Sequence, residues 1–177
     1  MMQMRRKLLI PIALACAGAA ALAQAQEPVS ALKGHNSNAA VDVTADRIEV
    51  QDRADRAIFA GNVHVRQDEL TLDTARLTVA YASAGGIQIQ RLDASGGVTV
   101  RSPSETARGD FGVYDLERKL ITLIGGVQLS RGGSQISGSR LVIDLTSGRA
   151  VIDGGPAGVG QSGGRVTGHF TVPKRGS

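Results

Sequence analysis

Apolar and polar residues alternate along most of this chain, and this period of two limits its fold more than any other feature. The alternation starts near Val41 and continues to about Ile152. Successive side chains of a β-strand point to opposite faces, so the pattern predicts strands with one buried and one wet face. After the first 25 residues, apolar residues never recur at helical spacing over a stretch of about ten positions. The sequence therefore predicts an all-β fold.

The strand pattern also repeats. A shift of 64 positions aligns Gly61 with Gly125, and half of that shift aligns Val79 with Phe111. The repeating unit is therefore about 32 residues long, and Gly96 supplies the corresponding glycine of the middle unit. Because glycine inside a strand marks a bulge or a bend, we expect the sheet to bend once in every unit.

The same half shift aligns three arginines, Arg76, Arg108 and Arg140. They are either a row that binds an anionic ligand or solvated residues beside the apolar face of each strand. We favour solvated side chains, because charged residues alternate with apolar ones throughout the pattern.

The start of the chain has the composition of a secretory leader. Arg5, Arg6 and Lys7 precede an apolar run from Leu8 to Leu22, which ends in Ala23-Gln24-Ala25. This order predicts a signal peptide over residues 1–25 that is cleaved near Ala25. Cys16, the only cysteine, lies within it. An uncleaved membrane anchor and lipidation of Cys16 are the alternatives.

The rest of the chain divides into three parts by composition. Residues 26–40 are polar and unpatterned, and we expect a flexible lead-in. Residues 41–153 carry the alternation and form the predicted domain. Residues 154–177 are expected to hold a glycine-rich loop, a possible last strand around Val166 to Val172, and a flexible tail.

The composition argues against nucleic-acid binding and catalysis. Loss of the three basic leader residues brings 20 basic residues to 17, against 16 acidic ones. This near neutrality is not typical of a phosphate-binding surface. The segment 158–163 matches a dinucleotide fingerprint, but no helix is predicted to follow it. The histidines are scattered and lack metal-ligand spacing. We therefore predict no enzyme activity, no cofactor and no metal site.

The order of the strand segments adds a resemblance to a known family. Four segments in this order resemble the OstA-like family, and within it the periplasmic lipopolysaccharide transport proteins: Val41–Ile48, Ala57–Val65, Leu70–Leu72 and Ala75–Val79. The most diagnostic element is Gly61-Asn62-Val63, which recurs as Gly125-Gly126-Val127.

The resemblance implies a twisted, open antiparallel β-jelly roll in the periplasm. It implies that an aliphatic groove shields the acyl chains of lipopolysaccharide on the way from the inner to the outer membrane. It further implies end-to-end stacking into a head-to-tail homo-oligomer, and binding to an inner-membrane LptC-like and an outer-membrane LptD-like component. Val41–Val43 and the segment from Val166 to Val172 are the candidate edges of the sheet.

The positions expected to line the groove are apolar residues on the buried face. They are Val41, Val43, Phe59, Val63, Val65, Val98, Val100, Phe111, Leu123, Val127 and Leu129. Alternation alone allows a closed core as well, because a groove and a core bury the same face. The alternative function is a structural or adhesive exported β-repeat protein without a lipid ligand.

Overall fold

The computed structural model describes Leu32 and residues 35–83, 85–155 and 164–171. They form ten strands and a 3-10 turn over Asp52–Ala54: β1 (Asp42–Thr44), β2 (Arg47–Gln51), β3 (Arg56–Gln67), β4 (Leu70–Ala82), β5 (Gln88–Arg101), β6 (Glu105–Asp115), β7 (Leu120–Arg131), β8 (Ser134–Asp144), β9 (Arg149–Asp153) and β10 (Thr167–His169). No helix among these residues is long and apolar enough to span a membrane.

All strand pairs are antiparallel and belong to one open sheet. From β3 to β8 each strand pairs with the next one along the chain. Both β1 and β2 pair with β3, along different parts of its length, and both β9 and β10 pair with β8. The sheet is therefore eight strands wide, with an interrupted strand at each edge. The predicted all-β fold is confirmed, and β1 and β10 lie at the predicted edges.

Every long strand bends at the same level of the sheet. In β3, β5 and β7 the bend is a pair of residues with positive φ: Gly61-Asn62, Gly96-Gly97 and Gly125-Gly126. The register between neighbouring strands shifts at these positions. The bend folds the sheet into two facing layers, as the recurring glycines predict.

We name the layers by their strand segments. Layer A contains β1, β10 and residues 63–67, 70–74, 98–101, 105–108, 127–131 and 134–138. Layer B contains β2, β9 and residues 56–60, 76–82, 88–95, 111–115, 120–124 and 140–144.

At two bends glycine is required for two reasons, a backbone conformation with positive φ and the lack of space for a side chain. Gly61 has φ +79° and Gly125 has φ +81°, values that other L-residues adopt only with strain. A methyl group at Gly61 would overlap the carboxylate of Asp46, and one at Gly125 would overlap that of Asp110. Asp46 N also donates a hydrogen bond of 2.9 Å to Gly61 O, which holds the edge strand against the bend.

The core lies between the two layers and is aliphatic. Side chains from both layers form one buried cluster. Its most completely buried large members are Leu77, Leu92, Leu123, Leu141, Ile143, Val63, Val98 and Val127. At roughly 1.5 to 3 kcal/mol for each buried aliphatic side chain, packing of layer against layer is the main favourable contribution to stability.

Part of the segment expected to be a flexible lead-in is held against the domain. Leu32 is only 5% exposed and belongs to the core cluster. Gln67 Nε2 donates hydrogen bonds of 3.0 Å to the carbonyl oxygens of both Ser37 and Ala39. These contacts leave no signal in the sequence, because residues 35–40 lack the alternating pattern. The signal peptide, most of residues 26–34 and most of residues 156–177 lie outside the described residues.

Candidate functional site

Inward side chains of neighbouring strands in layer B form two continuous rows across the sheet. Row 1 contains Ile48, Phe59, Leu77, Ala94, Gly112, Leu123, Leu141 and Ile152, and row 2 contains Val50, Ala57, Val79, Leu92, Tyr114, Ile121, Ile143 and Ala150. With strands spaced by about 4.8 Å, each row extends about 34 Å from edge to edge. Neither row contains a charged residue.

Layer A contributes a third row that faces the other two. Row 3 contains Val43, Val65, Leu72, Val100, Ala107, Leu129, Ile136 and Gly168. Nearer the bend, Val63 and Val98 both pair with Thr74, whose hydroxyl donates a hydrogen bond of 2.8 Å to Ser95 O. This polar group is therefore satisfied, and row 3 itself contains no charged side chain.

The structure brings most of the predicted groove residues together on this inner face. Seven are buried: Val63, Val65, Val98, Val100, Leu123, Val127 and Leu129. Three are partly buried and pack against the core cluster: Val41, Val43 and Phe59.

Phe111 is the exception, and its predicted inward orientation is wrong. Its side chain is 56% exposed, and it pairs across the outer surface with Ile124, which is 46% exposed. The bend in β6 changes the alternation, so that Gly112 and Tyr114 face inward beyond it.

The error comes from dividing the 64-residue repeat into equal halves. The bend glycines Gly61, Gly96 and Gly125 are separated by 35 and then 29 positions. With this spacing the structural counterparts of Phe111 are Arg76 and Arg140, which also lie at the bend and are also exposed. The alignment of Arg108 with the other two arginines was therefore wrong as well, although Arg108 is exposed too.

Several residues of the rows were absent from the predicted set. They are Leu72, Leu77, Val79, Leu92, Tyr114, Ile121, Leu141 and Ile143, all buried. Their alternation is visible in the sequence, and the repeated Leu77 and Leu141 follow the arginines at the bend. Tyr114 had no such signal, because the unequal repeat conceals its equivalence to Val79 and Ile143.

The two layers pack closely in this form of the protein. The cavity between them holds about 20 Å³ and is lined by residues that include Val65, Leu72, Leu92, Ile121 and Leu123. This is about the space of one water molecule. An acyl chain therefore has room here only if the layers move apart.

The inner rows are uncovered at one edge of the sheet. Ile48 and Val50 of β2 point to the same side as Phe59 and Ala57, yet they are 56% and 57% exposed. At the opposite edge, Ala150 and Ile152 of β9 are partly buried. An apolar inner surface thus opens at a strand whose outer backbone groups have no strand partner among the described residues.

The outer face of layer A is polar. His64 Nδ1 lies 2.6 Å from Asp73 Oδ1, and Arg101 forms an ion pair with the other carboxylate oxygen. Burial raises the pKa of Asp73, but the hydrogen bonds from His64 and Arg101 outweigh it and hold the pKa below its ordinary value. The wet face is thus an ordinary charged surface, in contrast to the uncharged rows inside.

Comparisons with known proteins agree with this architecture. Residues 42–149 match the family described as LptA/(LptD N-terminal domain) LPS transport protein. An uncharacterized protein from Rhizobium meliloti (strain 1021) is 33% identical over 160 residues, which cover 81% of this chain and 85% of the relative.

The fold is similar to the crystal structure of LptH, the LptA homologous periplasmic component of the lipopolysaccharide transport device of Pseudomonas aeruginosa. The TM-score is 0.68 at 17% identity, over 78% of this chain and 99% of LptH. At this identity the likeness concerns the fold, and the match to the family model carries the assignment. The chain belongs to the LptA and LptD N-terminal domain family of lipopolysaccharide transport proteins, the OstA-like group.

Proposed function

We propose that this protein is a periplasmic bridge that binds lipopolysaccharide and shields its acyl chains between the two layers on the way from the inner to the outer membrane. The observation that carries the proposal is the continuity of rows 1, 2 and 3. Each crosses all eight positions of the sheet without a charged side chain and ends at an open edge.

The energetics favour such a shielded path. An acyl chain of about twelve carbons would expose apolar surface worth roughly 10 kcal/mol, at about 0.8 kcal/mol for each methylene group. Separation of the layers exposes Val, Leu and Ile side chains, but an acyl chain that enters between them covers them again. Contacts between layers are exchanged for contacts with lipid, so opening costs little once lipid is bound.

The interrupted edge strands supply the proposed bridging surfaces. An edge strand offers unpaired N–H and C=O groups that can pair with a strand of another module. Head-to-tail addition at β1 and β2 on one side and at β9 and β10 on the other would propagate without closing. It would also extend the apolar rows past the exposed Ile48 and Val50. We propose an LptC-like inner-membrane component, an LptD-like outer-membrane component and further copies of this chain as the partners.

One observation favours the alternative, a structural or adhesive β-repeat protein without a lipid ligand. The cavity lined by Val65, Leu92 and Leu123 holds only about 20 Å³, as a permanently closed core would. The two functions differ in whether lipid reaches the inner face.

Two phenylalanines allow a matched test of this difference in cells. Phe59 lies on row 1, and Phe111 lies on the outer surface at the bend. Each is replaced by the photoreactive residue p-benzoylphenylalanine, which is similar in shape to the original side chain. After irradiation we expect lipopolysaccharide crosslinked to position 59 and none above background at position 111. Equal crosslinking at both positions, or none at position 59, would reject the proposed carrier function.

A further inference from the structure

Gln67 occupies an unusual position at the end of β3. It lies at a hairpin tip of layer A, yet it is only 3% exposed. Its Nε2 donates to Ser37 O and Ala39 O, and its Oε1 accepts a hydrogen bond of 2.9 Å from the Tyr114 hydroxyl. His35 Nε2 lies 3.1 Å from the same oxygen and donates to it when that nitrogen carries the proton. Every hydrogen-bonding position of the amide is therefore used.

Tyr114 brings the second layer into this network. It lies on row 2 of layer B and is 4% exposed. Its hydrogen bond to Gln67 connects the layers on the side opposite the bend, where they have no covalent connection through a strand. Burial raises the pKa of the Tyr114 hydroxyl, although a hydrogen bond with Ser37 lowers it in part. The Gln67 and Tyr114 pair thus closes the side of the molecule at which the layers can separate.

We call Leu32 and residues 35–39 the cap. The side chain of Leu32 is part of the buried apolar cluster. The small cavity between the layers is lined by both Gln67 and Tyr114, together with Leu70, Leu72 and Ile121. Gln67 and Tyr114 therefore contact the cap and also line the cavity, next to side chains of the apolar rows.

The cap is attached in a way that allows its release. Its backbone forms local turns, with hydrogen bonds from His35 N to Leu32 O, from Ser37 N to His35 O and from Ala39 N to Asn36 O. The described cap residues pair with no strand, since β1 begins at Asp42. The contacts that hold the cap include the buried side chain of Leu32, hydrogen bonds to Gln67 and a hydrogen bond between Ser37 and Tyr114, and none of these is strand pairing.

We propose that the space between Gln67 and Tyr114 is a lateral port for the acyl chain of a lipid amphiphile, and that the cap occupies this port in the lipid-free protein. The inference rests on the proposed function, because it names the entry point of the same lipid path. Leu32 fills the aliphatic site that an acyl chain takes when it enters. The Gln67 amide holds the cap in place until lipid displaces it.

Hydrogen exchange of the full chain, read by mass spectrometry, tests displacement. On addition of lipopolysaccharide, the amides of residues 35–39 should exchange about tenfold faster, because the turns in which they donate lose the support of Gln67 when the cap leaves. Inner-strand amides such as those of Ile121 should exchange no faster than before. If the inner-strand amides exchange more slowly while the cap amides exchange at an unchanged or lower rate, the port would be overturned and the proposed function would stand. An unchanged exchange rate at every amide would count against the proposed function. The dye-binding experiment described next then tests the port independently.

Access of an apolar dye tests closure without lipopolysaccharide. Binding of 1-anilinonaphthalene-8-sulfonate is compared for Leu32→Ser, Gln67→Ala and the exposed control Gln128→Ala, each checked for native circular dichroism and cooperative unfolding. We expect dye fluorescence to rise severalfold for the first two variants and to stay unchanged for the control. If Gln67→Ala fails to fold, Leu32→Ser decides the question, since Leu32 lies outside the sheet. Dye binding by folded Leu32→Ser equal to that of the control would overturn the port.

Discussion

Replacement of Leu123 by alanine should cost far more stability than the same replacement at its neighbour in the chain. Leu123 lies on row 1 with 0% of its surface exposed and lines the cavity between the layers. Ile124 is the next residue of β7, points outward and is 46% exposed. The two variants remove similar aliphatic groups from the two faces of the same strand.

The expected magnitude follows from burial. Leu→Ala removes three carbons, worth about 2.4 kcal/mol of transfer free energy at roughly 0.8 kcal/mol each. The vacated space adds up to about 2 kcal/mol, since it joins a cavity that is already present. We therefore expect Leu123→Ala to lower the free energy of unfolding by about 3 to 4 kcal/mol. Ile124→Ala should lower it by at most about 1 kcal/mol, because half of that side chain is already in water.

Urea unfolding at equilibrium, followed by far-ultraviolet circular dichroism, measures both values. A parallel titration with lipopolysaccharide shows whether the enlarged cavity binds lipid, because a ligand of the folded state raises its stability. The lipid should restore part of the stability lost in Leu123→Ala and should have a smaller effect on the unaltered protein. Equal losses for Leu123→Ala and Ile124→Ala would refute the assignment of the inner and outer faces.

Three further predictions address the bend, the outer face and the interior. Gly125→Ala should lower the free energy of unfolding in urea by more than Gly97→Ala, because a methyl group overlaps a neighbour only at Gly125. Gly97→Ala should cost about 1 to 2 kcal/mol from its positive φ alone. Equal losses for the two variants would contradict the overlap at Gly125. Asp73→Asn should cost at most about 1 kcal/mol at pH 7, because the ion pairs are exposed. Since the pKa of Asp73 is lowered on folding, its contribution to stability is present above the ordinary value of 3.8 and is lost as pH falls below that value. Urea titrations at pH 2 check this, and a difference in unfolding free energy between Asp73→Asn and the unaltered protein that persists at this pH would contradict it. Val127→Asp should cost several kcal/mol or prevent folding, since it buries an unpaired carboxylate. Gln128→Asp, at an exposed position, should change stability by less than about 0.5 kcal/mol. Thermal unfolding of both variants measures the difference, and similar melting temperatures would contradict the prediction.

Strand content and the bend were predictable because they depend on local chemistry. Alternation reports which face is buried, and a glycine such as Gly61 or Gly125 reports a backbone conformation that other residues avoid. Both signals are properties of short segments. The structure accordingly confirms the all-β fold and the recurring bend.

The errors at Phe111 and Arg108 have one physical origin, which is that alternation loses its phase at an irregular position. Phe111 follows the bend of β6, so the inward series of Glu105 and Ala107 ends before it, and Phe111 faces outward together with Val113. The equal division of the repeat hid this shift, because the true spacings of 35 and 29 sum to the same 64 positions. The glycine positions alone align Phe111 with Arg76 and Arg140 in the repeat, because each lies 15 positions after its glycine.

The cap was missed for a different reason. Its contacts join Leu32, Ser37 and Ala39 to Gln67 and the interior, over about 30 positions of sequence. They arise from tertiary structure and leave no periodic pattern in the segment itself. A polar glutamine on the buried face of β3 was the one visible irregularity, since Gln67 continues the inward series of Val63 and Val65.

Acyl chains should lie against the inner rows, and nuclear magnetic resonance of methyl-labelled protein tests this placement most directly. Lipopolysaccharide with a spin label near the end of an acyl chain broadens the signals of nearby methyl groups. We expect strong broadening for the inward methyl groups of Val65, Ile121 and Leu129, and little for the outward ones of Val113 and Val142. Equal broadening of both sets, or broadening of the outward set alone, would contradict it.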